Sequence, residues 1–371
     1  MTTATTEAAT AFVGQPIEAA DTPALYVELD ALEHNVALMA RRAAAAGVAW
    51  RPHVKASKSP DLAKRLLASG AQGITCAKVG EAEAMVAGGI DDILIANEIV
   101  GPQKIARLID VARLARLCVA VDDTRNIEEL SQAVSSAGIE LDVLVDINIG
   151  QNRCGVTPEA APTLARAVLD APGLRLRGLM GYEGHVMGIA NLEEKEAVTA
   201  NSADIFAAAR REVEAAGIEV GIMSGGGTGN YWLNLDAGVA NELQAGGGVL
   251  LDLTYQETKH VPDHRQSLFL QAQIVSTAVP GHAVADAGWK ATGMHTGLPL
   301  CVAPVGVEAT GLNAEHTKLR LAEGVSVTPG ERITMVPNYS DSTMLLHRTL
   351  YAVRNGVIEA AWPISAAGAL Q

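Results

Sequence analysis

Two stretches of this sequence place reactive or anion-binding residue types directly after an apolar run. Lys55 ends the run AWRPHVK at 49–55, and SGGGTGN at 224–230 follows the run EVGIM. Consecutive glycines let several backbone N–H groups point at one anion, and Ser224 and Thr228 add hydroxyl donors, which suits a phosphate. A lysine whose pKa is lowered by burial or by a nearby cation can attack a carbonyl carbon. Together, a lysine and a phosphate site favour pyridoxal phosphate as cofactor.

Each of these residues also has a structural interpretation. A lysine at a strand end can extend its amine into solvent, and a glycine-rich loop can be a tight turn. Arg153 can form an ion pair at a helix start. If Arg153 instead contacts the pyridine nitrogen of the cofactor, its permanent charge keeps that nitrogen unprotonated, and the cofactor is a weaker electron sink than it is beside an aspartate. The residues alone leave these alternatives open.

The elements that position these residues are predicted by alternating short apolar and longer amphipathic runs. The predicted strands are 49–55, 73–79, 91–97, 116–122, 140–149, 174–182, 219–223 and about 240–245. The predicted helices are 61–70, 81–89, 102–116, 124–138, 158–173 and about 191–217. This α/β pattern fits a (β/α)8 barrel better than an open sheet. The weak point is the seventh helix, because only GNYWLN at 229–234 separates the last two strands.

Domain boundaries are predicted from changes in this rhythm. The barrel is assigned to 38–257. A smaller, mainly antiparallel β domain is assigned to 22–37 plus 258–371, where short strands alternate with Gly/Pro turns. The strand-like segment 22–30 could alternatively pair with the barrel. Residues 1–21 are rich in Ala and Thr and contain no Lys or Arg, so they predict a loose tail rather than a secretory signal.

Polar segments follow four of the predicted strands. Barrel enzymes place their chemistry at the carboxyl ends of the strands, so these segments are expected to converge on one face. They are RPHVK at 51–55, NIGQNRCG at 148–155, GYEGH at 181–185 and SGGGTGN at 224–230.

Composition and charge exclude several classes of protein. The chain has 371 residues, 49% of them hydrophobic, and its 28 basic and 42 acidic side chains give a net charge of −14. An acidic chain without a basic stripe argues against nucleic acid and anionic membranes as partners. The four cysteines are widely spaced without a CxxC motif, so neither a disulfide framework nor a zinc site is indicated. A cytoplasmic protein that acts on a small molecule is therefore expected.

With these residues in place, the chain resembles the D-threonine aldolase/D-serine dehydratase-like branch of the alanine-racemase-type (fold type III) pyridoxal phosphate enzymes. The resemblance covers most of 22–350 and is carried by an ordered set of segments. These are TPALYVELDALEHNV (22–36), RPHVKASK (51–58), VDINIGQNRCGV (145–156), GYEGH (181–185), SGGGT (224–228), ELQAGGGVLLD (242–252), DAGWKA (286–291), AEHTKLRL (314–321) and VPNYSDST (336–343).

The resemblance implies roles for particular residues. Lys55 is the lysine that binds the cofactor covalently, Arg153 lies at the pyridine nitrogen, and Tyr182 lies close to the cofactor. The phosphate is held by Ser224, Gly226, Gly227 and Thr228. The resemblance also implies a homodimer. Enzymes of this branch either split D-β-hydroxy amino acids into glycine and an aldehyde or dehydrate them to a 2-oxo acid and ammonia.

Candidate acids and bases are three histidines, His53, His185 and His316. Any one of them can be a structural residue, as lone histidines often are. His185, beside Tyr182, is the preferred candidate to remove the β-hydroxyl proton. The two acidic residues of these segments, Glu183 and Glu242, are expected to support the site rather than to react.

The sequence departs from the family pattern at the metal pair. Both reactions usually use a divalent cation, Mg²⁺ or Mn²⁺, held by a His-x-Asp or His-x-Cys pair. In VPNYSDST the position of the first ligand is occupied by Tyr339 rather than histidine, and of the pair only Asp341 remains. Phenol is a poor ligand for these hard cations, and one carboxylate is a weak site. At the position of the second histidine in the family's lysine motif, this sequence has Ser57. We therefore expect a retained cofactor site with altered metal dependence.

The leading hypothesis is a pyridoxal phosphate-dependent lyase that cleaves a D-β-hydroxy-α-amino acid, such as D-threonine or 3-hydroxy-D-aspartate, by a retro-aldol reaction. A D-amino acid dehydratase is the first alternative, and a racemase is the second. Tyr339 keeps racemisation open, because it could supply an acid on the opposite face of the cofactor. A non-catalytic cofactor carrier is disfavoured by the β domain, and a scaffold leaves the strand-end residues unexplained.

Overall fold

The computed structural model describes residues 9–258 and 261–371 and divides them into two compact units. The barrel unit contains Leu38–Lys55, Ala63–Gly246 and Ala369–Gln371. The β unit contains the described residues up to Ala37, together with Ala56–Leu62 and Gly247–Gly368. The chain thus leaves and re-enters each unit more than once.

The barrel unit is built on a parallel sheet. Within the described residues, its strands are β2 (Ala49–Trp50), β3 (Ile74–Cys76), β4 (Asp92–Glu98), β5 (Arg116–Val121), β6 (Leu141–Ile147), β7 (Leu174–Gly181), β8 (Ile222–Gly225) and β9 (Glu242–Leu243). Their order is β2-β9-β8-β7-β6-β5-β4-β3. A parallel bridge between His53 and Thr75 joins the two edges of this sheet. The predicted barrel is confirmed.

Helices connect the strands. They are α1 (Leu29–Ala45) and α2 (Pro60–Ala68), which each cross a unit boundary, then α3 (Val79–Ala87), α4 (Pro102–Ala112), α5 (Thr124–Ala137), α6 (Ala161–Asp170), α7 (Leu192–Ala215) and α8 (Tyr231–Ala237). Short 3-10 helices cover Ile17–Ala19, Pro158–Ala160, Gly184–Gly188 and Gly247–Val249, and Thr254–Thr258 is a π-helix. The doubtful seventh helix of the barrel exists as α8.

The sequence explains why these elements form. All seven residues of β6 are buried, as expected for a parallel strand covered on both faces. The Asp123 side chain caps α5 by accepting the Arg125 N–H, and Gly138 ends that helix in the left-handed conformation. Asn191 caps α7 in the same way at Glu194. These helix ends leave the polar strand-end segments outside the helices.

Alternate side chains of the strands fill the barrel. One buried layer contains Leu94, Ala120, Leu144 and Met180, with Ala96, Cys118 and Ile222 packed against it. Each member comes from one of the consecutive strands β4 to β8. The interior is therefore a packed core, and chemistry is confined to its two ends.

The β unit is a mainly antiparallel sheet. Its strands are β1 (Ala24–Glu28), β10 (Leu268–Ser276), β11 (His282–Ala285), β12 (Leu300–Ala303), β13 (Val307–Leu312), β14 (Thr317–Leu321), β15 (Arg332–Val336), β16 (Thr349–Arg354) and β17 (Val357–Pro363). The main order is β13-β14-β11-β10-β1-β16-β17, with β15 between β10 and β12. Two short helices, α9 (Trp289–Thr292) and α10 (Ser340–Met344), interrupt the strands.

The N-terminal segment resolves one alternative and corrects one expectation. Strand β1 pairs with β10 and β16 of the β unit, so the alternative pairing of 22–30 with the barrel is not seen. Of the predicted tail, 1–8 lie outside the described residues. Residues 9–21 are not loose, because the backbone N–H groups of Gly14 and Ile17 donate to Ile358 and Gly356, and Ile17 is buried. Apolar residues spaced along this segment contribute to these contacts. Its Ala/Thr-rich composition did not indicate them.

Candidate active site

Lys55 lies just beyond β2, at the carboxyl end of the barrel strands. Val54 donates its N–H to the Thr75 carbonyl, and His53 donates its own to Gln244, so this segment continues the sheet past the strand. The Lys55 N–H donates to Nδ1 of His53 at 3.2 Å. The lysine side chain is half-buried. Its backbone is therefore held on both sides, which fixes where the amine emerges.

Tyr182 and Arg153 come together although they follow different strands. The Arg153 guanidinium carbon lies 5.3 Å from the centre of the Tyr182 ring, over its face. Glycines line the ring, since a Cβ atom at Gly184 would lie 2.7 Å from Tyr182 Cε1 and one at Gly227 would lie 3.0 Å from Cε2. The predicted neighbourhood of Arg153, Tyr182 and the glycine loop is present.

The glycine loop between β8 and α8 forms a cradle of backbone. Gly226 has φ +87°, and a Cβ atom there would lie 2.6 Å from Leu243. The buried Glu183 carboxylate accepts the Gly227 N–H at 3.3 Å and the Asn234 amide at 2.6 Å, which ties the loop to α8. Glu183 thus has the supporting role expected of it. Because a Cβ atom has little room at Gly226 or Gly227, the backbone of this loop can approach an anion closely, as phosphate binding requires.

Lys195 is a contributor that the sequence interpretation missed. It lies on α7, is 1% exposed, and donates from Nζ to the Gly229 carbonyl at 3.2 Å. Its helix buries it in register with Phe206 and Val213, so helical periodicity could have revealed it. A buried ammonium beside the loop raises the local positive potential, which favours an anion in the cradle.

Ser224 differs from its predicted role. Its hydroxyl is fully buried in β8 and donates to Oε1 of Glu242 at 2.7 Å, while the Gln244 amide donates to the same hydroxyl at 2.9 Å. Glu242 also accepts from Nε of Arg51 at 2.8 Å. The hydroxyl of Ser224 therefore connects β8 to β9, and the phosphate cradle is left to the residues from Gly226 onward.

The three candidate histidines have different surroundings. The His185 imidazole is turned toward α7, with Nε2 3.4 Å from the Ser202 hydroxyl. The ring also packs on Gly150, where a Cβ atom would lie 3.1 Å from it. His316 is exposed in the β unit. His53 is the histidine whose ring contacts the lysine-bearing segment.

The loop that carries Arg153 is anchored by acidic residues. Gly155 donates its N–H to Asp122 at 3.0 Å, and a Cβ atom at Gly155 would lie 2.6 Å from the Asn148 nitrogen. Burial, and the neighbouring Glu98 carboxylate to which it hydrogen-bonds, raise the pKa of Asp146 well above its usual range. Asp146 therefore holds a proton more readily than an ordinary aspartate does. This carboxyl pair lies at the carboxyl ends of β4 and β6.

Cation ligands are scarce in the described part of the chain. One group could hold a metal by its geometry, Glu98, Asp122 and Cys154 in the barrel unit, whose ligand atoms lie within 4.8 Å of one another. Burial, with the Glu98 carboxylate next in order, raises the pKa of the Cys154 thiol to about 11, so this sulfur keeps its proton. Since Asp122 already accepts from Gly155, the group is suited to anchoring the loop rather than to binding a metal.

The expected metal pair lies in the β unit. The Tyr339 hydroxyl donates to Oδ2 of Asp341 at 2.6 Å. Both side chains are half-buried. The carboxylate that a cation would need is hydrogen-bonded to the phenol that replaces the second ligand. The pair does not fit a divalent cation of the family type.

Comparisons with known proteins identify the family to which the chain belongs. The family model for the alanine racemase N-terminal domain matches residues 27–252. The chain belongs to this family. A second family model, for a serine dehydratase domain, matches residues 267–353. These matches place the chain among the fold type III pyridoxal phosphate enzymes, as the sequence motifs indicated.

Individual relatives are similar over nearly the whole chain. The sequence is 40% identical to a D-threonine aldolase from an Arthrobacter species, over 96% of this chain and 95% of that protein. It is 36% identical to a 3-hydroxy-D-aspartate aldolase from Paracoccus denitrificans, over 94% and 92%. The crystal structure of D-threonine aldolase from Filomicrobium marinum matches with a TM-score of 0.93 and 38% identity, covering 97% of this chain and 99% of that one. The chain is a carbon–carbon lyase of this kind.

Among the described residues, no helix combines the length and the apolar character that crossing a membrane would require.

Proposed function

We propose that this protein is a pyridoxal phosphate-dependent lyase that cleaves a D-β-hydroxy-α-amino acid to glycine and an aldehyde. The observation that carries the proposal is the 40% identity to a D-threonine aldolase over 96% of the chain. D-Threonine and 3-hydroxy-D-aspartate are the proposed substrates, because the relatives that are 40% and 36% identical are named for them.

The residues at the carboxyl end of the barrel fit the cofactor. Gly226 and Gly227 form the backbone cradle for its phosphate, with Thr228 beside them, and Arg153 supplies a permanent cation for its pyridine nitrogen. When bound, pyridoxal phosphate supplies an electrophilic carbon for the substrate amine and an electron sink for the bond that breaks. Lys55 would hold the cofactor covalently through its side-chain amine.

The β-hydroxyl proton must be removed for the Cα–Cβ bond to break. Between the two histidines of the barrel unit, we assign this step to His53. Its ring is fixed beside the backbone of Lys55, whereas the His185 ring contacts Ser202 on α7. Tyr182 is proposed to position the cofactor under Arg153, since its ring lies between that guanidinium and Gly227.

A histidine comparison tests this assignment. We expect His53→Asn to lower kcat about 10²-fold with D-threonine, the effect of losing a general base. The matched variant, His185→Asn, keeps kcat within about three-fold, because the Nε2 of His185 lies against Ser202 on α7. A larger loss in His185→Asn than in His53→Asn would reverse the assignment.

The assembly and location are part of the proposal. We extend it to a cytoplasmic homodimer, which the family resemblance implies, and sedimentation of the cofactor-loaded protein tests the oligomeric state.

Product analysis tests the reaction itself. The cofactor-loaded protein is incubated separately with D-threonine, 3-hydroxy-D-aspartate and D-serine, and glycine is quantified against ammonia and 2-oxo acid. Glycine with an equal amount of aldehyde is expected. Ammonia and a 2-oxo acid would identify a dehydratase instead, and interconversion of enantiomers without either product would identify a racemase.

A further inference from the structure

The Tyr339–Asp341 pair is built into the fold rather than formed by chance on a flexible surface. Tyr339 is the residue before α10, and its carbonyl accepts the Thr343 hydroxyl at 3.0 Å. The next residue, Ser340, donates its N–H to Oδ2 of Asp252 at 2.7 Å. These contacts fix the backbone on both sides of the phenol, so its hydroxyl lies within reach of Asp341.

Aromatic rings flank the phenol. The Tyr255 ring lies 6.2 Å from the Tyr339 ring between centres, and the His295 ring lies 5.9 Å from it. Tyr255 is itself held, since its N–H donates to Oδ1 of Asp252 at 2.9 Å. The hydroxyl therefore has a defined direction, and the hydrogen bond to Asp341 follows from packing.

The donor set is unsuited to Mg²⁺ or Mn²⁺. These cations prefer several charged or carbonyl oxygens, and a neutral phenol that is donating its proton offers little. A cation at Asp341 would have to displace this proton from the 2.6 Å hydrogen bond. In the same segment, the Asp252 carboxylate already accepts two backbone N–H groups, one on each oxygen.

Ligands from elsewhere do not compensate. Within the described residues, the one cluster of three potential ligands with metal-binding geometry is Glu98, Asp122 and Cys154, which does not include Asp341. His295 is exposed and offers a single imidazole. The cation site that relatives of this branch use is therefore closed in this chain by a side chain of its own.

We propose that Tyr339 makes this enzyme independent of divalent cations, by occupying the ligand position and holding Asp341 in a hydrogen bond, and that this one residue decides metal dependence. The part of the proposal that concerns turnover rests on the proposed lyase function. The part that concerns metal binding does not.

Binding of Mn²⁺ tests the proposal without reference to activity. Mn²⁺ is titrated into the chelator-treated, cofactor-loaded protein, and the free ion is followed by its electron paramagnetic resonance signal. The proteins compared are the wild type, Tyr339→His, and Tyr339→His combined with Asp341→Asn. We expect Tyr339→His to bind at least about ten-fold more tightly than the wild type, and the double variant to lose this gain.

Each other outcome overturns the proposal. Wild-type binding that Asp341→Asn or His295→Ala removes would show that the site accepts a cation despite Tyr339. Failure of Tyr339→His to gain binding would show that Tyr339 is not what closes the site. Turnover is a separate arm, in which a chelator leaves the wild type unchanged. If no variant turns over any substrate, the lyase function fails while the binding result still stands.

Discussion

Two aspartates of the same strand show how differently the two ends of the barrel are built. Asp142 and Asp146 lie four residues apart on β6, so they share a face with Leu144 between them. Both are buried, at 2% and 4% exposure. Asp142, at the amino end, is surrounded by arginines, whereas Asp146, at the carboxyl end, is buried beside another carboxyl group, and its pKa is raised. Opposite charges surround one aspartate, and burial with a like charge surrounds the other.

The amino end is a closed network of opposite charges. Asp142 accepts from Nε of Arg175 at 2.9 Å, and Arg116 and Arg177 lie 3.6 and 3.7 Å from it. Arg51 bridges Asp92 and Glu242 at 2.5 and 2.8 Å. Each of these three buried or half-buried carboxylates has an arginine partner, so removing one carboxylate leaves arginine charge without its partner.

The carboxyl end contains groups that can bind a ligand. Its glycine cradle is lined by backbone, Lys195 is buried beside it, and the Arg153 guanidinium is exposed over Tyr182. The two ends of the barrel therefore differ in how their charged groups are arranged, and substitutions at the two ends should differ in what they change.

Removal of the lysine is expected to have the largest effect. Lys55→Ala should lower turnover by at least about 10³-fold, because no other residue supplies its covalent role. It should also abolish the absorption band that the protein forms with pyridoxal phosphate alone. The free energy of unfolding should change much less than turnover, since Lys55 is only half-buried. An unchanged band in Lys55→Ala would contradict the assignment of this lysine.

Removal of a charge at the amino end is expected to act on stability instead. Asp142→Asn leaves three arginines facing a neutral amide, which should lower the free energy of unfolding by about 2–3 kcal/mol. Cofactor affinity and kcat should stay within about two-fold at temperatures where the variant is folded. Urea unfolding and cofactor titration check the two quantities. A loss of cofactor binding with unchanged stability would break the distinction between the two ends.

The glycine cradle is expected to give an intermediate effect. In Gly226→Ala the new methyl meets Leu243 and the positive φ is strained, so we expect pyridoxal phosphate to bind about ten-fold more weakly. Gly217→Ala is a matched control, because Gly217 has φ +74° with open space around it. Its cost should be about 1 kcal/mol of stability, with cofactor affinity unchanged. Equal affinities in both variants would show that the cradle does not bind phosphate.

Much of this arrangement could be predicted from the sequence because it depends on local signals. The strand-end positions of Lys55 and the loop at Gly226 follow from hydrophobic periodicity and from glycine, which act over a few residues. The family motifs added Arg153 and Tyr182, and the structure places these two side chains in contact. Tyr339 was also identified by its motif, although its hydrogen bond to Asp341 was not.

The features that were missed depend on partners distant in sequence. Ser224 looked like a phosphate ligand, but Glu242, 18 residues away, takes its hydroxyl. His185 looked like a base, but α7 carries a serine that meets its ring. The raised pKa of Asp146 could not be predicted either, since it requires two strands to bring two carboxyl groups together in a buried place. Side-chain direction and tertiary neighbours decide such cases, and periodicity does not encode them.

Asp146→Asn is expected to have the smallest effect of these substitutions. Unlike Asp142→Asn, it should stabilise the protein. Its folded-state pKa is raised, so the stability that this carboxyl contributes is fully present below its unfolded pKa of about 4 and decreases as the pH rises toward the folded value. Asp146→Asn imitates the protonated form and cannot ionise. The variant should therefore lose less stability than the wild type between pH 5 and about pH 8, with a gain of about 1 kcal/mol at the upper end. Thermal unfolding across this range, with Asp142→Asn on the same strand as the destabilised counterpart, measures the difference. A parallel pH dependence in the wild type and Asp146→Asn would mean that Asp146 is ionised in the folded protein, and the two ends of the barrel would then both depend on charge.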